Sequence, residues 1–299
     1  MATRNRGDTE SVRLCREDGR RAPRAEPMAL TERDRAIVRW VFANRLATRE
    51  QVQRLFFGPA ARSRCQRRLT LLYRNRYLDR LPGRAVNAPD VYYLSRRSVP
   101  GLELLRALDP DAEVTPRRIR GPLVPHTLEV GDCRAALVQA CASAGYSLTT
   151  WQDERVLATR MKDSGLLPDA YFQVARPAAQ GATRAGFFLE VERSGKAASA
   201  LAQRLGRYGR FYYGGQYEEA FGMRALRVLV LVGSDYGIHP RRQVARLAAL
   251  SDAQGVTMCR FAPLEEFLAQ DPTTLLSAPI WRRPGEEAAC ALFEARPNE

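Results

Sequence analysis

The sequence predicts two domains of different class: an N-terminal α+β domain of three helices and a β-hairpin, and a C-terminal α/β domain with a mixed sheet. The chain of 299 residues is long enough to bury two cores. Residues 1–125 contain 27 arginines and 14 acidic residues, a net charge of +13, whereas the whole chain carries +14. A basic half joined to a nearly neutral half indicates that the first half meets a polyanion.

The composition narrows the class of protein further. No apolar run approaches the roughly 18 residues that a membrane-spanning helix needs, and the polar N-terminus lacks the apolar region of a secretion signal. The six cysteines are scattered and form no C-x-x-C pair, which argues against zinc and against a disulfide framework. We therefore expect a cytoplasmic protein without a membrane partner, associated with nucleoid or plasmid DNA.

The chain begins with a segment that predicts no compact structure. Residues 1–27 mix Arg, Asp, Glu, Gly and Pro with few large apolar side chains, so we expect a disordered arm. Its seven arginines and five acidic residues leave two interpretations open, a solvated tail and a set of phosphate contacts.

Two helices follow, each opened by a threonine. Thr31 with Asp34 three residues later predicts a capping box, and apolar residues then recur at helical spacing from Ile37 onwards. Thr48 with Gln51 predicts a second capping box, and Gly58-Pro59 ends that helix.

The third helix, predicted over about residues 60–76, has one narrow apolar stripe of Cys65, Leu69 and Leu72. The opposite face is polar and basic. The segment "YLDRLPGRAVNAPDVYYLS" then predicts two short strands around a turn. Three helices followed by a hairpin is the order of a winged helix-turn-helix, which we place at residues 28–100.

In such a domain the third helix enters the major groove of double-stranded DNA, where Arg and Gln read base edges. The helix and the hairpin together present nine candidate DNA contacts, although a solvated charged face remains the alternative. These residues are Ser63, Arg64, Gln66, Arg67, Arg68, Thr70, Arg74, Arg80 and Arg84. Arg67 and Arg74 are expected to contact bases, and Arg64, Arg68 and Arg80 to contact phosphates.

Residues 101–125 are predicted to be a linker that holds one short helix at most. From His126 the pattern alternates between helix and strand. The predicted order is α-β-β-β-α-β-α-β with a short final helix, and the aliphatic run "ALRVLVLVG" is typical of a strand buried on both faces. We assign this domain to residues 126–270 and treat 271–299 as a C-terminal extension.

Three acidic residues lie on two neighbouring strands of that domain. Asp169 opens "DAYFQVA", and Glu190 and Glu192 close "AGFFLEVE", two residues apart and hence on one face. Clustered carboxylates repel one another unless a cation lies among them, and Mg²⁺ or Mn²⁺ is a cation that prefers oxygen ligands. Glu154, placed on the preceding strand, is a candidate fourth acid. The alternative is that these acids cap strand ends or pair with Arg155, Arg193 and Arg204.

The segments "PDAYF" and "FFLEVER" resemble the core of the PD-(D/E)xK nucleases. The resemblance implies that Asp169 and Glu190 bind the metal. The position of the catalytic lysine is occupied by Glu192, so Lys196, or Arg193, would have to supply the positive charge. The candidate catalytic residues are therefore Asp169, Glu190, Glu192 and Lys196.

A longer series of segments is similar to the replication-relaxation family of mobile elements. It includes "LTERDRAIVRWVFANRLATREQVQRLFF", "PHTLEVGDCRAAL", "LPDAYF", "FFLEVERSG" and "RLGRYGRFYY", in this order. The resemblance implies a winged helix followed by a restriction-endonuclease-like α/β sandwich with a mixed sheet. It implies a role in element replication and DNA relaxation, and marks His126 and Asp132 as accessory residues.

Three functions follow as expectations. The first is a DNA-binding accessory protein of a mobile element, with a relaxase or replication proteins of that element as partners. The second is an active Mg²⁺-dependent endonuclease or nickase. The third is a transcriptional regulator whose C-terminal domain forms a homodimer or senses a ligand. A relaxase-type nucleophile among Tyr208, Tyr212 and Tyr213 is a further alternative, although the chain lacks the several histidines that such enzymes gather.

Overall fold

A computed structural model describes residues 28–83, 89–111, 113–116, 121–176, 184–193, 198–234 and 239–293. The chain divides into two compact units, residues 1–131 and 132–299. Three features expected from the sequence lie outside the described residues, namely the arm of residues 1–27, Arg84 and Lys196.

The first unit is built from helices and short strands. In chain order they are α1 (Glu32–Asn44), β1 (Ala47–Thr48), α2 (Arg49–Phe56), α3 (Arg62–Arg74), β2 (Asp79–Leu81), β3 (Val91–Tyr93) and α4 (Val99–Leu108). The three strands form an antiparallel sheet in the order β1-β3-β2. Both predicted capping boxes are formed, Thr31 with Asp34 and Thr48 with Gln51, so the starts of α1 and α2 follow from local sequence.

One apolar core holds these elements together, and it extends past the expected end of the domain. Ile37 and Val41 of α1 meet the α3 stripe in this core, and Leu102 and Leu105 of α4 are buried in it as well. Val114 belongs to the same cluster. The expected boundary at residue 100 is therefore wrong, because α4 contributes its apolar face to the core instead of linking two domains.

The second unit is built on a seven-stranded mixed sheet. Its elements begin with α5 (Val124–Ser143), which crosses the division between the units, followed by β4 (Ser147–Asp153), α6 (Glu154–Arg160), β5 (Ala170–Ala175), β6 (Arg184–Glu192), α7 (Ala198–Tyr213), α8 (Gln216–Phe221) and β7 (Leu226–Val232). It ends with α9 (Pro240–Ala253), β8 (Cys259–Pro263), α10 (Leu264–Leu268), β9 (Trp281–Arg282) and β10 (Ala289–Cys290). The strand order is β10-β9-β8-β7-β6-β5-β4, with β6, β7 and β8 mutually parallel.

Two expectations for this unit are corrected. Glu154 does not lie on a strand, because Asp153 accepts hydrogen bonds from the backbone of Arg155 and Val156 and so starts α6 at Glu154. Part of residues 271–299 is not an extension, because β9 and β10 complete one edge of the sheet and Trp281 is fully buried.

The face of the sheet that carries Phe188, Val230 and Phe261 is covered by α7 and α9, which form one core with it. The strand β7 is buried along its length, as its continuous aliphatic run predicts. Among the helices that the structure describes, none is long and apolar enough to cross a membrane.

Candidate functional site

The exposed face of α3 is the first candidate site. Cys65, Leu69 and Leu72 are fully buried, which turns the opposite face of the helix outwards. The helix contains no acidic residue, and four of the nine predicted DNA contacts are exposed on it: Ser63, Arg64, Arg67 and Arg74. This face presents arginines that no acid of the same helix neutralises.

The other described candidates in this unit are engaged within the protein. Gln66 donates to the Tyr92 hydroxyl at 3.4 Å and accepts from Arg49, and the Thr70 hydroxyl donates to the carbonyl of Gln66. Arg80 pairs with Asp90 at 3.2 Å and lies over the ring of Tyr73.

Arg68, another candidate, forms hydrogen bonds and an ion pair within the unit. Its Nε donates to Oδ1 of Asp34 at 2.5 Å, its Nη2 pairs with Oδ2, and Nη2 also donates to the carbonyl of Ala29. Burial alone would raise the pKa of Asp34, but hydrogen bonds from Arg68 and Thr31 hold that pKa below its ordinary value. Arg68 therefore joins α3 to the start of α1.

The acidic residues of the second unit meet where β5 begins and β6 ends. Ala170 is paired with Leu189, so the antiparallel register brings Asp169 opposite Glu190. The Asp169 backbone donates to the carbonyl of Leu189 at 3.1 Å, and its carboxylate accepts from the backbone of Val191 at 2.7 Å. Because β6 lies between β5 and β7, this site is inside the sheet and not at its edge.

Glu190 and Glu192 are almost fully buried, with exposures of 2% and 4%, and they share one partner. Arg204 of α7 donates through Nε to Glu190 at 3.1 Å and through Nη1 to Glu192 at 3.0 Å, and its Nη2 forms a second contact with Glu190. The hydroxyl of Tyr208 also donates to Glu190. One guanidinium thus bridges two buried carboxylates, which is the arrangement that offsets their mutual repulsion.

The charges of Glu190 and Glu192 are already offset within the protein. The Glu190 and Glu192 oxygens that a metal would use are directed at Arg204. Within the described part of the chain, no group of three His, Cys, Asp or Glu side chains is placed to hold a metal ion. Glu154 is exposed at the start of α6, where Asp153 pairs with Arg155.

The remaining candidates lie elsewhere in the structure. His126 and Asp132 are half-buried on α5. Burial raises the pKa of Tyr208, which is 1% exposed, so this hydroxyl is neither ionised nor accessible to a DNA phosphate. Tyr212 donates to the carbonyl of Arg224, and Tyr213 hydrogen-bonds Thr257, so the three tyrosines do not converge on one site.

The sequence had suggested Arg204 only as one of three structural partners, and had not linked Tyr208 to the acids. The sequence does contain a signal that Arg204 and Tyr208 lie near these acids. Residues 204 and 208 are four apart on a predicted helix, which places them on one face, and that helix follows directly after the strand that ends in Glu192.

Comparison with known proteins gives one positive result. A family model described as replication-relaxation matches residues 38–225, which is more than half of the chain and runs from α1 to the residue before β7. No curated protein and no solved structure matches the chain.

Proposed function

The chain belongs to the replication-relaxation family, which points to a role in the replication or mobilisation of mobile elements, and from that premise we propose that it acts there as a DNA-binding accessory protein. The observation that carries the proposal is the exposed face of α3, where arginines project from a helix that has no acidic residue. Such a face suits the phosphates and base edges of duplex DNA.

The first unit supports a winged helix-turn-helix assignment. Its order of α1, β1, α2, α3, β2 and β3, with one three-stranded sheet, is what that fold requires. In this proposal α3 is the recognition helix, and the segment between β2 and β3 is the wing.

The contacts within the unit divide the candidate residues by role. Arg67 and Arg74, exposed on α3, contact bases, and Arg64 contacts phosphates. Arg68 and Arg80 are already paired with Asp34 and Asp90, so in this proposal they mainly position the helix and the hairpin. Gln66 and Thr70 lie on the same helix, and they contact DNA only if hydrogen bonds to DNA replace the hydrogen bonds that they make within the protein.

The test is binding of duplex DNA by the full chain, measured by fluorescence anisotropy at several salt concentrations. Replacing both Arg67 and Arg74 with alanine should weaken binding by on the order of 1–3 kcal/mol for each base that is no longer read, and should relax sequence preference. Arg106→Ala is the matched control, because Arg106 is an exposed arginine of α4 in the same unit. Equal weakening in the double variant and the control would show that α3 is not the recognition element.

For the second unit we propose a restriction-endonuclease-like core that has lost efficient cleavage. Asp169 and Glu190 are neighbours across β5 and β6, as such a core requires, but Arg204 neutralises the acids and Glu192 stands at the lysine position. A carboxylate there cannot stabilise the negative charge that develops on a phosphate.

Nicking of supercoiled plasmid in Mg²⁺ or Mn²⁺ tests this second proposal. We expect little or no nicking by the unchanged chain and loss of any trace in Lys196→Ala, while Glu192→Lys could raise it. Rapid nicking by the unchanged chain that requires Asp169 and Glu190 would establish a metal-dependent nuclease instead. Nicking that survives the loss of both acids would come from another site.

Binding of Mg²⁺ or Mn²⁺ by Asp169, Glu190, Glu192 and Glu154 remains a separate proposal. Calorimetry with Mn²⁺ tests it, and Arg204→Gln should increase any affinity, because it releases two carboxylates. A relaxase or replication protein of the same element as partner, and a homodimer, are also proposals, which pull-down and native mass spectrometry would test.

A further inference from the structure

Three arginines lie together on the sheet of the second unit, away from the acidic cluster. Arg227 is in β7, Arg260 is in β8, and Arg283 follows the last residue of β9. All three are half-buried. Neither the proposed DNA contacts nor the acidic site accounts for them.

The strand register places their side chains on one face. Leu229 is paired with Arg260, and Arg227 is two residues before Leu229, so these two arginines are diagonal neighbours on the same face. Phe261 is paired with Arg282 across β8 and β9, and the next pair in this antiparallel register is Arg260 with Arg283.

This face is opposite to that of the acids. Glu190 is registered with Val230, and Phe187 with Arg227. Since neighbouring residues of a strand alternate between faces, Glu190 and the arginines project from different sides of the sheet. The arginine cluster is therefore a separate site from the one that contains Arg204.

The guanidinium of Arg260 lies against the backbone at the start of its own strand. It donates through Nη1 to the carbonyls of Thr257 at 3.0 Å and Cys259 at 2.8 Å, at the start of β8. The register pairs Val228 with Cys259, so this strand start lies beside Arg227. Burial lowers the pKa of Arg260, and the charges of Arg283 and Arg227 lower it further.

Arg283 carries contacts of this cluster with an acidic residue, Glu286, and with the sulfur of Cys290. Glu286 pairs with Arg283 at 3.5 Å and is half exposed. Arg227 makes neither a hydrogen bond nor an ion pair with the part of the chain that the structure describes. The charges of Arg227 and Arg283 act against the charge of Arg260, and an anion bound among the three guanidinium groups would offset this repulsion.

We propose that Arg227, Arg260 and Arg283 form an oxyanion site that binds one phosphate group. Guanidinium groups bind phosphate oxygens in a planar, two-pronged geometry, and three of them suit a tetrahedral dianion better than a single carboxylate. The phosphate comes either from free phosphate and phosphomonoesters or from a DNA backbone, and the two sources share this chemistry.

Calorimetry of the full chain with inorganic phosphate at constant ionic strength tests the site. The double change Arg227→Gln with Arg260→Gln should weaken phosphate binding at least about tenfold, the loss expected for charged hydrogen bonds. Arg246→Gln on α9 is the matched control, because Arg246 is an exposed arginine of the same unit, and it should bind phosphate as the unchanged chain does. Arg227→Gln alone provides a milder variant, with an intermediate loss.

The folded state is checked by the melting temperature without phosphate. Arg227→Gln alone should leave it equal or raise it because a like charge is removed, whereas the double variant also gives up the two hydrogen bonds from Arg260 to backbone carbonyls. Displacement of phosphate by an unphosphorylated duplex, measured in the chain that lacks Arg67 and Arg74, would assign the site to a DNA backbone. Failure of the duplex to displace it would assign the site to free phosphate or a phosphomonoester. Equal phosphate affinity in the double variant and the control, or no phosphate binding by the unchanged chain, would overturn the proposal.

Discussion

At the scale of single residues, one arginine determines the character of the acidic site. Arg204 contacts both Glu190 and Glu192, whose exposures are only a few per cent, while 30% of its own side chain is exposed. Removing a partner from a buried ion pair costs more than the pair itself contributes, because it leaves a charge without compensation. Arg204 therefore has a structural role that can be measured independently of any activity.

We expect Arg204→Gln to lower the free energy of unfolding of the second unit. The expected loss is on the order of 2–3 kcal/mol, below the value for a fully buried pair because solvent reaches the guanidinium. Urea unfolding followed by the fluorescence of Trp151 and Trp281 would measure this loss.

Arg210→Gln, an exposed change six residues further along α7, should cost less than about 0.5 kcal/mol. Adding Glu190→Gln and Glu192→Gln to Arg204→Gln should restore part of the loss, because the buried charges disappear with their partner. A triple variant less stable than Arg204→Gln alone would contradict this account.

Asp34 makes stability depend on pH. Because its pKa is lowered in the folded state, its contribution to stability is present above the unfolded pKa of about 4, and is lost as the pH falls through the folded pKa. Arg68→Gln removes the principal hydrogen bonds and leaves burial, which acts in the opposite direction. The carbon NMR shift of the Asp34 carboxyl group should then titrate at higher pH, and an unchanged titration would show that Arg68 does not control this group.

At the scale of secondary-structure elements, the docking of α4 depends on a residue without a side chain. A Cβ atom added to Gly101 would lie 2.1 Å from the carbonyl oxygen of Tyr77, which is backbone and cannot move aside cheaply. Because position 101 is a glycine, α4 can pack against the backbone of Tyr77 more closely than a residue with a side chain would allow.

Gly101→Ala should accordingly destabilise the first unit. Alanine favours helix formation by about 1 kcal/mol, but overpacking against backbone costs about 1–3 kcal/mol or more, so the clash should dominate. Urea unfolding followed by Trp40 fluorescence would report the change. Gly233→Ala, followed through Trp281 of its own unit, is the control for a glycine with room for a side chain, because its nearest neighbour would be the Arg193 side chain at 3.8 Å, an ordinary contact. A stabilised Gly101→Ala would show that α4 is held more loosely than the structure indicates.

At the scale of the whole molecule, charge is concentrated at one end of the sequence. Residues 1–27 contain seven arginines and five acidic residues, whereas residues 28–125 contain 20 arginines and nine acidic residues. The larger excess thus lies in the segment that contains α3, and that segment should dominate attraction to a polyanion.

Deleting residues 1–27 should leave most of the salt dependence of duplex binding. Each phosphate neutralised contributes about −0.9 to the slope of log affinity against log salt, so the slope reports how many phosphates the protein still neutralises. Anisotropy titrations of the shortened and full chains at several salt concentrations would measure it. A slope that falls by more than half would move the main phosphate contacts to the arm.

The sequence by itself determined the features that depend on neighbouring residues. Both capping boxes, the apolar stripe of α3 and the buried strand β7 were predictable, because helical and strand periodicity and capping are encoded within a few positions. The proximity of Asp169, Glu190 and Glu192 followed from two adjacent apolar runs and the alternation of side chains along a strand.

Only the tertiary structure decided which groups meet across longer separations. Arg204 neutralises Glu190 and Glu192, since the way α7 lies on the sheet selects this partner, whereas Arg155 pairs with Asp153. Helix α4 joins the first core and β9 joins the sheet, although both had been assigned to connecting segments. Short elements carry too little periodicity to be recognised, and their place is set by the apolar surface that larger elements leave to be covered.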